Sequence, residues 1–173
     1  MPDTPPPYAE LYCRSNYSFL VGASEPEELV ERAAAKLYAA IALTDECSVS
    51  GVVRAHLAAR ECGIHFIVGS ELLLTTAGGH AHARIVFLAQ DRRGYGNLSE
   101  AITLARRRAE KGRYLSQVAD FEGKTAKAPH LAGLPGCLAL LLPAPDEPVA
   151  TLLPKAMWPK TCFRCGSWLV VPR

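Results

Sequence analysis

From Tyr8 to Gln90 the chain alternates short apolar runs with helix-period segments, and this alternation narrows the fold more than any other feature. "YAELYC" reads as a strand. Ser24 is placed to cap a helix, with Pro26 in its first turn and Glu27 and Glu28 at the positive end of its dipole. In "PEELVERAAAKL", Leu29, Ala33 and Leu37 recur at spacing four and predict one buried face. "YAAIALTDE" predicts a buried strand that opens at Thr44, and "SGVVRAHLAARECG" a helix closed by Gly63. "IHFIVGSELLL" and "ARIVFLAQD" predict two more strands, with "TTAGGHAH" as a turn between them. "GNLSEAITLARRRAEKG" predicts a long helix with Leu98, Ile102 and Ala105 on its apolar side. Strand and helix alternating at this spacing predict βαβ units, four parallel-type strands and a mainly parallel sheet or barrel.

In such folds chemistry gathers where strands end, because the loops there converge on one face. Three loops qualify: Tyr12–Gly22, Thr44–Ser50 and Gly69–Glu71. The first is rich in small polar residues, Ser15, Asn16, Ser18 and Ser24, yet holds Tyr12, Cys13, Arg14 and Val21 where His or Asp would serve a metal. Asp45, Glu46 and Glu71 stand at the other two strand ends. Two or three acids begin a cation site without completing one, since hard cations want several oxygens and zinc three or four donors. His80 and His82 form an HxH pair, but Gly78-Gly79 before them places the pair in a solvent-exposed turn. His56 and His65 are expected to pack. Cys162 and Cys165 form a CxxC with no second pair after it, half of a zinc ribbon. No Walker loop, GxGxxG or GxSxG elbow occurs.

Charge is unevenly spread. Residues 1–83 carry five Lys/Arg against ten Asp/Glu, and residues 84–114 eight against three. Arg92, Arg93, Arg106, Arg107, Arg108, Lys111 and Arg113 are therefore candidate contacts to a phosphate backbone, or else a solvated helix face. Beyond Arg113 the periodicity weakens. Residues 115–136 read as irregular, "CLALLLP" as one further strand, and Pro154 as a break or kink in any helix after it. "MPDTPPPYAE" is Pro-rich and acidic, unlike a secretory signal, and the longest apolar run, Cys137–Leu142, is too short to span a bilayer. Six cysteines without framework spacing fit a reducing cytoplasm.

The stretch from Tyr8 to Glu71 resembles the start of the PHP (polymerase and histidinol phosphatase) domain of bacterial C-family DNA polymerases. "LTDECSVSGVVRAH", "GYGNLSEAITLARRRAEKGRY" and "HLAGLPGCLALLLP" resemble the error-prone, polymerase III alpha-type branch, and the resemblance covers residues 8–153. It implies a distorted (βα)7 barrel of PHP type, here incomplete at the C-terminus. It also implies an N-terminal disordered arm over 1–7, a partial PHP domain over 8–153 and an aberrant or truncated tail over 154–173. Metal-binding members carry an HxH pair and an Asp before Gly on the first loop, an Asp-His after the second strand and a Glu after the third. These fall on Tyr12 and Arg14, on Val21, on Asp45-Glu46 and on Glu71, so Asp45 and Glu71 alone remain, as vestigial ligands. Later His and Asp ligands fall at Ala83-Arg84 or past the end of the chain. Arg14 is expected to pair with Asp45 or Glu71.

The resemblance implies the N-terminal region of an error-prone DNA-directed DNA polymerase, a nucleotidyltransferase of DNA replication, repair and translesion synthesis in the cytoplasm. This segment would be structural, with no catalytic residue and no cofactor of its own; magnesium would belong to the polymerase core. Its partners would be the remainder of the polymerase chain, DNA, and replication or mutasome proteins, with no membrane. Two alternatives stand: a metal-dependent phosphoesterase or exonuclease, and a non-catalytic nucleic-acid-binding domain.

Overall fold

The computed structural model describes residues 7–144, 147–163 and 166–169. The arm expected over 1–7 therefore lies, but for Pro7, outside the described residues, as does Cys165. The elements run β1 (Ala9–Glu10), α1 (Pro26–Ala35), β2 (Ala40–Leu43), α2 (Val52–Cys62), β3 (His65–Thr75), β4 (Ala81–Ala89) and α3 (Arg92–Arg107). There follow β5 (Ser116–Gln117), α4 (Val118–Phe121), β6 (Cys137–Leu142), α5 (Val149–Cys162) and β7 (Ser167–Leu169). The sheet is mixed, curled and open among the described residues, in the order β1-β2-β3-β4-β6-β7, with β5 beside the end of β3.

The first half is built as the alternation requires. β1, β2 and β3 are parallel, with α1 and α2 as crossovers. The apolar sides of these helices, Val30, Ala33, Val52, Ala55, Ala58 and Ala59, close over Ile41 and Leu43. Gly63 ends α2 with φ of 70°, the left-handed value that favours glycine. Two local expectations change. Glu25, not Ser24, precedes α1, and its N–H donates to the Glu28 carboxylate at 2.9 Å, while the Ser24 carbonyl accepts from Asn16 N–H. Leu37 lies past the end of α1 with a positive φ and is almost fully exposed; Val30 takes its place in the buried stripe.

β4 departs from the parallel pattern. Thr76–His80 is a tight hairpin, closed by Thr76 N–H donating to the His80 carbonyl, and β4 runs antiparallel to β3. A parallel crossover needs about a dozen residues or more, which this connection lacks. β6 is antiparallel to β4, and β7 parallel to β6. Alternate residues then separate two faces. Leu72, Leu74, Ile85, Phe87, Ala139 and Leu141 meet α3 on one. Ala42, Val86, Leu88 and Leu140 line the other, concave face.

The irregular stretch is ordered by a buried acid and by Phe121, Ala128, Leu131 and Leu134, which enter the main core. Asp120 accepts two bonds from Arg108, at 2.5 and 2.6 Å, and others from Thr125 Oγ1 and Gln117 N–H. Burial alone would raise this carboxyl, but these donors outweigh it and hold it below the usual carboxylate range. α5 continues through Pro154 and Pro159 instead of breaking at Pro154. Each proline removes a helix donor, but Leu152, Ala156, Trp158 and Cys162 pack onto the main core. Phe163, in the segment expected as a tail, is buried against Phe87 and Phe121. No helix among the described residues is long and apolar enough to cross a membrane.

α3 enters the core through a close approach. A Cβ on Gly94 would sit 2.0 Å from the Gly136 carbonyl oxygen, which accepts from Gln90 N–H. Gly94→Ala is expected to destabilise by about 1–3 kcal/mol despite alanine's better helix propensity, because backbone must move. Urea unfolding with an unchanged slope measures it.

Candidate functional site

β1 and β2 deliver the residues that follow them to one end of the parallel strands, where the structure places Asp45; Glu71 lies beside it, bridged to Glu46, but within β3 and not at that strand's end as the sequence predicted. Backbone bonds bind the loops together: Thr44 N–H donates to the Cys13 carbonyl, Glu71 N–H to Asp45, and Cys47 N–H to Glu71. Asp45 and Glu71 are both fully buried, yet they serve different partners.

Glu71 is a carboxylate between two guanidinium groups. Oε2 accepts from Arg14, with Nε at 2.8 Å and Nη2 in closer contact, and from the Tyr12 hydroxyl at 2.7 Å. Oε1 accepts from Arg84 Nη1. The expected pairing of Arg14 thus falls on Glu71. Arg14 is mostly covered and Arg84 about two-fifths exposed. Tyr12 has its phenol pushed up to about 12, first by burial and then by the Glu71 carboxylate that its proton satisfies.

Asp45 fastens the first loop. Its Oδ1 accepts from Ser15 N–H at 2.8 Å and Ser18 Oγ at 2.7 Å, and its Oδ2 from Ser15 Oγ at 2.7 Å. The polar serines of that loop therefore satisfy an acid. The loop folds so tightly that a Cβ on Gly22 would lie 1.9 Å from the Ser15 carbonyl oxygen. Val21, where the resemblance led one to expect a ligand Asp, is exposed. Glu46 accepts from the Tyr114 hydroxyl at 2.7 Å, and Arg106 donates to the Cys47 carbonyl at 3.0 Å.

A divalent cation does not fit this donor set. Every oxygen of Asp45 and Glu71 already accepts at least one hydrogen bond, and the Arg14 and Arg84 charges stand beside Glu71. Among the described residues no group of three or more His, Cys, Asp or Glu is arranged to hold a metal ion. The sequence marked Arg84 only as a position where a later ligand falls and did not foresee its pairing with Glu71. Its signal is register: Arg84 opposes Leu73 across the hairpin, which puts it on the same face as Glu71, one diagonal step away.

The remaining candidates lie apart. His80 is exposed in the hairpin, as expected, while His82 sits on β4, half-buried with its ring edge-on to Trp158. His56 and His65 are exposed, contrary to the expectation that they pack, because both fall on the solvent side of their elements. Cys162 donates to the Phe121 carbonyl at 2.9 Å. Of the basic candidates, Arg106 and Arg108 serve internal acceptors. Arg92 and Arg93 open α3, whereas Arg107, Lys111 and Arg113 lie at or past its other end, so the set divides between two places about 20 Å apart.

Two expectations follow. Arg14→Ala is expected to cost about 3 kcal/mol, the low end for breaking a buried pair because Arg84 remains, and Glu71→Ala more, since it strands two cations. Arg84→Ala should cost about 1 kcal/mol or less, as that guanidinium meets solvent. Denaturant unfolding of the three variants tests this order. In alkali, Tyr12 ionises less readily folded than unfolded. Its contribution is complete below pH 10 and lost as pH rises through about 12. Tyr12→Phe should show a shallower loss of stability across that window, read from thermal unfolding at stepped pH.

The model of the PHP domain family matches residues 10–139. An error-prone DNA polymerase from Bordetella parapertussis is 52% identical over 153 residues, covering 88% of this chain and 14% of that protein. One from Dechloromonas aromatica is 52% identical over 166 residues, covering 96% and 15%. The chain thus spans about one seventh of the length of the curated relatives it matches. A solved structure described as a candidate metal-dependent phosphoesterase, from Bifidobacterium adolescentis, superposes with a TM-score of 0.59 at 15% identity. It covers 94% of this chain and 77% of that one, and shows likeness of fold alone. With a family match over most of its length, this chain belongs to the PHP domain family.

Proposed function

We propose that this chain is the PHP region of an error-prone DNA polymerase of damage-tolerant synthesis, and that it braces the polymerase without catalysing a reaction. The reading is supported by the similarity to error-prone polymerases over most of the chain. One observation carries the structural role: Glu71, a ligand position in metal-binding relatives, neutralises Arg14 and Arg84. The ion pairs join the first loop to β3 and β4, and so do locally what a shared cation would do. On this reading the segment needs no cofactor, magnesium belongs to the polymerase core, and the work is cytoplasmic. Its partners are the rest of the polymerase, DNA and other replication or mutasome proteins.

Elemental analysis and phosphoesterase assays with added manganese test the role. The expected outcome is sub-stoichiometric metal and no hydrolysis above background. Two tightly held divalent ions per chain, with hydrolysis that chelators abolish, would favour the phosphoesterase alternative. The nucleic-acid alternative rests on exposed Arg107, Lys111 and Arg113. It requires DNA affinity that falls steeply with salt and that loses slope when those residues are replaced.

A further inference from the structure

The first loop ends in an apolar tip that its own domain does not use. Phe19, Leu20 and Val21 are 82%, 91% and 60% exposed, and Tyr17 beside them is 39% exposed. Isolated exposed apolar residues are ordinary on protein surfaces, but three consecutive ones on a projecting turn are not. The tip is also firmly set. Ser15 and Ser18 are bonded to buried Asp45, Val21 and Gly22 N–H both donate to the Ser18 carbonyl, and Asn16 N–H donates to the Ser24 carbonyl. Leu20 has φ of 63°, a left-handed value unfavourable for a branched side chain. A rigid base thus presents apolar side chains to solvent against local preference.

We infer that Phe19, Leu20 and Val21 form the docking tip by which this domain seats on the rest of a longer polymerase chain. The inference rests on the polymerase reading above. The occupant follows from length: the curated relatives carry about six times as much further chain as the part matched here. Three consecutive apolar side chains on a set loop are suited to a pocket on that remainder. Asp45 then has a positional use, since it fixes the base from which the tip projects. Ordering cost on binding is low, because the loop is already set by its serines.

The test uses this 173-residue chain by itself and the Bordetella parapertussis polymerase with this chain in place of the segment it matches. Hydroxyl-radical footprinting reads the exposure of Phe19 and Leu20 directly. Labelling of both is expected to slow several-fold in the chimera relative to the isolated chain. Phe19→Ser with Val21→Ser should leave the Tm of the isolated chain unchanged and lower that of the chimera. Leu20→Gly should raise the Tm of the isolated chain; a fall would show that the tip supports its own domain, which overturns the inference. Equal labelling in both proteins, in a chimera that copies a primed template, overturns the docking role and leaves the polymerase reading standing. A chimera that fails to fold or to copy DNA, where the unaltered polymerase copies it, overturns both.

Discussion

A carboxylate with no exposed surface sits where the first loop meets β3 and β4, and the arrangement around it follows from the need to neutralise it. Glu71, on β3, receives Arg14 and the Tyr12 hydroxyl from the first loop and Arg84 from β4. Burying such a charge alone would cost several kcal/mol. With two guanidinium groups it becomes a joint, and the three segments cannot shift independently. Such a cluster is not evidence of exceptional stability, because apolar residues of similar volume often do as well. What it does contribute is geometry: the first loop has one place to sit.

The two acids expected as remnants of a metal-type pattern have different partners. Glu71 has taken cations as partners, while Asp45 has taken neutral donors, two serine hydroxyls and a backbone N–H. Either arrangement satisfies a buried carboxylate, but with different consequences. The ion pairs join distant strands. The serine bonds shape one loop from within. Both are compatible with the same backbone, because the main-chain bonds among Thr44, Asp45, Cys47 and Glu71 do not depend on which side chains fill the space above them.

Much of this was legible in the chain itself. The alternation of Tyr8–Leu74 placed β1, β2, β3 and the helices between them, and with them Asp45 at one end of the parallel strands. The match of Tyr12 and Arg14 to ligand positions pointed to the Arg14 pairing. What was illegible depended on register and on partners remote in sequence. Arg84 reaches Glu71 only because Thr76–His80 closes a hairpin in one register, and periodicity does not say which way a strand runs. Leu37 continues the apolar spacing of α1 but falls beyond the turn where the helix stops. The stretch 115–136 has no period because its order comes from Asp120 and its donors and from side chains that enter the main core, which local pattern cannot reveal.

The stacked rings of Phe87 and Phe121, with Phe163 edge-on beside them and Trp158 edge-on to Phe163, join β4 to segments that follow much later in the chain. That placement sets an order of assembly. The β1-α1-β2-α2-β3 unit and the β3–β4 hairpin close over short sequence separations, so their loop-closure entropy is small. The face that receives Phe121 and Phe163 exists only once β4 and β6 are paired. Phe121 and Phe163 can therefore seat only after that pairing, and until they do Phe87 remains a wet aromatic on a half-made sheet.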